Sequence, residues 1–221
     1  MYTSVIRPLL FLGEAERIHG MLVSFLCFYR YLFPFRKWVR RYYRVNGREF
    51  SWNGLTFKNR IGLSAGFDKG GECFDELADF GFGFIELGTL TPQFQAGNPR
   101  PRIFRLPADS VLISRTGFNN PGMDGLAWNI CRRGTEHRYL LGININRDPQ
   151  SEGEAAVNDF LRLFIRFYEE SDYFTLNWGA LPAEWFEKVL KALDAYRRSQ
   201  AVHRFMRVKL LRIYRRRSWK K

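Results

Sequence analysis

Chemistry first gathers in this chain at Ala65-Gly66-Phe67-Asp68-Lys69, where a glycine turn is followed by a lysine. An ammonium there can neutralise an anionic substrate. The small residues Gly62, Ala65 and Gly66 let a planar ring approach the backbone closely. Read alone, Lys69 is more simply a solvated lysine paired with its neighbour Asp68. Gly88-Thr89 ends a second apolar run in the same way, and Arg115 to Asn120 is polar with Gly117 as its bend. By composition, Gln95 to Arg102 is a Gly/Pro-rich turn. Asn144 and Asn177 each fall at the end of an expected strand, where a carboxamide can donate to and accept from a ring edge at once. Singly each reads as a turn former; on successive strands the pair reads equally as turn formers or as a site. Gly81-Phe82-Gly83 lacks the third glycine of a dinucleotide fingerprint and precedes a strand instead of following one. Three cysteines (Cys27, Cys73, Cys131) and three histidines (His19, His137, His203) show no disulfide or metal-ligand spacing, so a reducing compartment and no protein-bound metal are expected.

These residues need a frame. Asn53-Gly54 supplies the turn of a hairpin over 49–58. Strands are then expected at 61–64, 84–88, 139–145, 173–177 and 204–210. Helices are expected at 71–80, 121–132, 152–169 and 183–199. In the third of these, Val157, Phe160, Leu161, Phe164 and Tyr168 share one face. Strand–helix repetition with nearly all-apolar strands implies an α/β fold, a parallel sheet covered by helices. In a parallel barrel the residues just after each strand lie on the catalytic face, where Lys69, Thr89, Asn144 and Asn177 would meet. Such a barrel closes with eight strands; five leave two unpaired edges open to self-association.

A chain of 221 residues, 46% hydrophobic and 17% aromatic, has material for one sizeable domain. Its net charge of +13 sits at the ends. Residues 1–48 hold 9 Lys/Arg and 2 acids, residues 197–221 hold 11 Lys/Arg and none, and the middle holds 15 basic and 20 acidic residues. That argues against a nucleic-acid-binding body and for ends that touch anionic surfaces. The longest apolar run, Met21 to Tyr29, is about half the roughly 20 residues of a spanning helix, and no signal-peptide pattern opens the chain. A cytoplasmic protein is expected, peripheral on the inner face of the membrane. Residues 1–48 form a separate segment, in which Pro34 should break or end a helix. Its aromatics beside arginines suit an interfacial helix, or equally a helix packed on the core with a solvated basic end. Residues 49–211 form the α/β body, and 212–221 should be a disordered basic tail.

Taken in order, several blocks carry a resemblance. They are Gly54 to Asn59, Gly62 to Lys69, Gly88-Thr89-Leu90-Thr91-Pro92, Pro101 to Leu106, Arg115-Thr116-Gly117-Phe118-Asn119-Asn120 and Gly142 to Ile145. Over about residues 1–178 the chain resembles the class 2, quinone-dependent and membrane-associated dihydroorotate dehydrogenases. The resemblance implies an α/β TIM barrel holding FMN, here incomplete with about five parallel strands. It also implies oxidation of dihydroorotate to orotate in pyrimidine synthesis, with quinone as acceptor and residues 1–48 as the membrane- and quinone-associating region. A base takes a proton from C5 of the substrate while hydride leaves C6 for the flavin. By resemblance Ala65, Gly66, Phe67, Asp68, Lys69, Thr89, Asn144, Asn177 and Lys209 touch FMN. Lys69, Ser114, Arg115, Thr116, Gly117, Phe118 and Asn177 hold the substrate.

The departures matter equally. Ala180 falls where the family carries its serine base, so no catalytic base is assigned. Pro182 replaces a substrate-binding asparagine, Ser114 stands where an asparagine is usual, and Asn146-Arg147-Asp148 replaces a Gly-Lys-Asn run. The later strands, which carry the FMN phosphate site in such barrels, are not found. Three expectations follow: a divergent member with weak flavin binding and little or no turnover, a half-barrel completed by a partner chain, or a non-catalytic module that uses its basic ends on anionic lipid or nucleic acid.

Overall fold

The computed structural model describes residues 2–45, 49–133, 138–179 and 181–210. A short helical lead-in, Tyr2–Ile6, opens into α1 (Arg7–Leu12), α2 (Ala15–Tyr29) and α3 (Phe33–Tyr42). A hairpin, β1 (Phe50–Trp52) and β2 (Leu55–Phe57), turns at Asn53-Gly54 as expected. The body then alternates β3 (Gly62–Leu63), α4 (Phe74–Ala78), β4 (Phe84–Leu90), α5 (Gly122–Cys131), β7 (Leu140–Ile145), α6 (Gly153–Arg166), β8 (Tyr173–Asn177), α7 (Glu184–Arg198) and β9 (Phe205–Lys209). Between β4 and α5 an antiparallel arm is inserted, β5 (Ile103–Leu106) and β6 (Val111–Ser114).

The five body strands are all parallel, in the order β3-β4-β7-β8-β9. Pleating sends alternate residues to opposite faces. Ile85, Leu87, Leu141, Ile143, Phe174 and Leu176 face the helices and are fully buried, against Phe74, Leu126, Phe160, Phe164, Val189 and Leu193. The other face carries Glu86, Gly88, Gly142, Asn144, Tyr173, Thr175, Asn177, Arg207 and Lys209. This inner face is largely polar. At Gly142 the chain has no room for a side chain, since a Cβ there would lie 2.1 Å from the Tyr173 ring.

Two readings need correction. Pro34 does not end a helix; the break falls at Arg30 to Leu32, and Pro34 sits in the first turn of α3, where a missing N–H costs nothing. The basic end of the N-terminal segment is not simply solvated. Buried Asp79 receives Arg36 at 2.7 Å and also Arg40, while buried Glu76 receives Arg30 at 3.2 Å and Arg133 at 2.6 Å. The segment is packed on the body through these pairs and through Leu26, Tyr29 and Val39. Its outer face stays exposed and apolar, with Leu22, Phe25, Phe28, Phe33, Phe35 and Trp38. Among the described residues no single helix is long and apolar enough to cross a membrane; α2 and α3, bent by 112°, meet that test only as a pair. The basic tail expected over 212–221 lies outside the described residues.

Candidate functional site

The carboxyl ends of β3, β4, β7, β8 and β9 and the top of the β5–β6 arm converge on one mouth. The loop after β3 brings Lys69 into it. Its ammonium donates to Thr116 Oγ1 at 3.0 Å and to Asn119 Oδ1 at 2.5 Å. The alternative pairing with Asp68 does not form. Asp68 is instead buried, its carboxylate accepting the backbone N–H groups of Glu72 (2.7 Å) and Cys73 (2.8 Å) at the start of α4, and that burial raises its pKa. Of the expected cofactor contacts, Asp68 thus spends both carboxylate oxygens on backbone amides and holds the loop that presents Lys69.

Lys69 is half-buried among neutral acceptors. Loss of hydration, with the Arg102 guanidinium nearby, lowers its pKa to about 8, while Glu16 acts in the opposite direction. Arg102 is itself buried and binds Glu16 of α2 at 2.7 Å, so the N-terminal segment supplies the counter-ion next to the site. Gly66, at φ +115°, lies in a backbone region open to glycine, and a Cβ there would meet nothing within 4 Å. Gly66 and Ala65 thus leave a bare floor beside Lys69.

A cavity of about 280 Å³ is lined by Gly66, Lys69, Thr89, Asn98 and residues 114–118, so Ser114, Arg115, Thr116, Gly117 and Phe118 all reach it. Asn98 ties this wall together by donating from its amide to Arg115 O at 2.7 Å. Opposite, Asn177 Nδ2 donates to Thr89 Oγ1 at 3.0 Å. Asn144 Nδ2 donates to Glu86 Oε1 at 2.8 Å, and its buried Oδ1 has no partner among the described residues. Lys209 pairs in register with Asn177 and is exposed at the sheet edge. A second cavity, about 570 Å³, runs between α2 and the mouth. It shares Gly66, Lys69 and Thr116 with the first and is walled by His19, Val23 and Phe67, with Phe67 edge-on to His19 at 4.8 Å. Arg147 bends back onto the carbonyls of Asp148, Pro149 and Ser151. Ala180, at the expected base position, lies outside the described residues.

Five residues escaped the sequence reading as site residues: Asn98, Asn119, Arg102, its partner Glu16, and Glu86. Glu86 left a usable signal, because a carboxylate inside an otherwise apolar strand is costly unless it is paired. Asn98, Arg102 and Asn119 lie in segments the sequence marks as turn or polar, but their partners are remote in sequence, as is that of Glu16.

Fold and mouth together define an α/β-barrel type of protein whose strand ends carry a lysine ammonium, a bare floor and two asparagine amides. The family model for dihydroorotate dehydrogenase matches residues 49–181. Relatives named dihydroorotate dehydrogenase (quinone) agree: that of Legionella pneumophila (strain Corby) is 43% identical over 176 residues, 79% of this chain and 49% of the relative. That of Stenotrophomonas maltophilia (strain K279a) is 44% identical over 174 residues, 79% and 48%. The crystal structure of the Eimeria tenella dehydrogenase in complex with ferulenol superposes with a TM-score of 0.68 at 28% identity, covering 83% of this chain and 51% of that one. The chain belongs to the dihydroorotate dehydrogenase family, and it spans about half the length of the curated relatives it matches.

Proposed function

We propose that this chain carries the ring- and carboxylate-binding part of an FMN-dependent dihydroorotate dehydrogenase and turns dihydroorotate over slowly or not at all. The observation that carries this reading is Lys69, a half-buried ammonium fixed between Thr116 and Asn119 at the mouth of the parallel sheet. The residues present fit a planar cofactor: Gly66 leaves open space, and Asn144 keeps a buried acceptor without a donor. Ala65, Gly66, Phe67, Thr89, Asn144, Asn177 and Lys209 would hold the ring of FMN. FMN, when bound, supplies the acceptor for the substrate hydride.

The chain's own groups then bind and orient. Lys69 neutralises the carboxylate of dihydroorotate or orotate, and Thr116 and Asn119 keep the ammonium aimed. Ser114, Arg115, Gly117 and Phe118 wall the cavity around the ring, and Asn177, held by Thr89, meets its edge. Proton removal from C5 lacks an agent: Ala180 ends in a methyl group, which accepts no proton. A missing general base typically costs 10²–10⁴-fold in rate. The larger cavity beside α2 supports quinone access, and the exposed aromatics of α2 and α3 support contact of residues 1–48 with the membrane, peripherally on its inner face.

The test is Ala180→Ser. Anaerobic mixing of the FMN-loaded chain with dihydroorotate should bleach the flavin band about 10²–10⁴-fold faster in the variant. Equal rates in the two forms overturn the assignment of Ala180.

A further inference from the structure

Glu86 lies in the middle of β4, only 2% exposed, on the polar inner face of the sheet. Its two oxygens are used differently. Oε2 accepts from Tyr173 OH at 3.3 Å, from Thr175 Oγ1 at 3.0 Å and from the Arg207 guanidinium. Oε1 accepts from Asn144 Nδ2 at 2.8 Å. Arg207 also donates to Thr175 Oγ1 at 2.6 Å, so its guanidinium is anchored beside Glu86 by a second contact. In all four of these contacts Glu86 accepts, whereas a carboxamide has a donor end and an acceptor end. Glu86 therefore draws the NH₂ end of Asn144 to itself, and Oδ1 is forced to the other side. That oxygen is buried and without a partner among the described residues. A buried acceptor left without a donor is rare in folded proteins and calls for an explanation.

We infer that Glu86 is a positioning residue that fixes the amide of Asn144 so that its Oδ1 is presented as an acceptor to an N–H at the edge of a planar heterocycle. This rests on the flavin-site reading above and adds to it the group that decides the polarity of the amide. The flavin ring has one such edge donor, its imide N–H.

The experiment uses the full chain and Glu86→Gln. A glutamine can donate as well as accept, so it releases Asn144 to turn either way. The Asn144 side-chain NH₂ resonances, assigned by their loss in Asn144→Asp, should exchange with solvent at least about tenfold more slowly than those of Asn53 in the exposed hairpin turn. That protection should vanish in E86Q. FMN should bind wild type at least about tenfold more tightly than its N-methylated imide analogue, and E86Q should lose that preference. Thr175→Val removes a donor from Oε2 and an acceptor from Arg207 but keeps the Oε1–Asn144 contact, so both readouts should stay as in wild type, which separates orientation from general loosening. If E86Q does not fold, Glu86→Asp, which withdraws the carboxylate by one methylene, should give the same losses. Amide exchange and flavin preference unchanged in these Glu86 variants overturn the inference while the flavin-site reading stands. No FMN uptake by wild type overturns that reading, and the amide exchange still decides the role of Glu86: equal rates in wild type and variant overturn it.

Discussion

Lys69 enters the cavity as a cation whose two partners are neutral acceptors, so its charge is free to meet a carboxylate. Hydrogen bonds to a charged group are worth about 1.5–3 kcal/mol, so Lys69→Met should weaken orotate binding about 10- to 150-fold by calorimetry. The pH dependence follows from its pKa of about 8, lowered chiefly by burial. The ammonium binds the carboxylate, and it is present below about pH 8 and lost above it. Orotate affinity should therefore be flat below pH 7 and fall about tenfold per unit above pH 8, with no such fall in K69M. Sequence placed Lys69, Thr89, Asn144 and Asn177 near one mouth, because barrel strand ends share a face, and the family resemblance added Ser114 to Phe118. It did not show what each side chain holds. Asp68 reads like its neighbour Lys69, yet two backbone amides at the start of α4 draw it inward.

At the scale of elements, the five strands and four body helices fall within a few residues of expectation, since Ile85 and Leu87, Leu141 and Ile143, and Phe174 and Leu176 mark buried strands by composition alone. The β5–β6 arm went unread for a physical reason. Its residues are half-exposed or exposed, including all of Val111–Ser114, so no buried face imposes an alternation on the sequence. The ion pairs that dock α2 and α3 were equally unreadable, because Arg36 and Arg40 look like any basic helix end until Asp79 is found beneath them. Removing one partner of a buried pair costs about 3–5 kcal/mol. Asp79→Asn should lower stability to urea by about that amount. Trp38, stacked between Phe35 and Tyr42 on α3, should report the loss as an early fluorescence transition.

On the scale of the whole molecule, two features face outward. The sheet ends at β3 and β9, and these edges are where a second chain would pair if self-association occurs. The apolar outer face of α2 and α3 is bordered by exposed Lys37, Arg41 and Arg44, a combination suited to an anionic membrane surface. Changing these three to glutamine should weaken co-sedimentation with phosphatidylserine-containing vesicles by about 1 kcal/mol per charge, while binding to neutral vesicles stays the same.

The central claim, that this chain holds a flavin ring with an orotate carboxylate on Lys69, is tested most directly by the visible spectrum of FMN titrated with the chain, with and without orotate. The account predicts a shifted flavin band that saturates with wild type and shifts further with orotate, the second shift being absent in Lys69→Met. A band identical to that of free FMN at every ratio would contradict it.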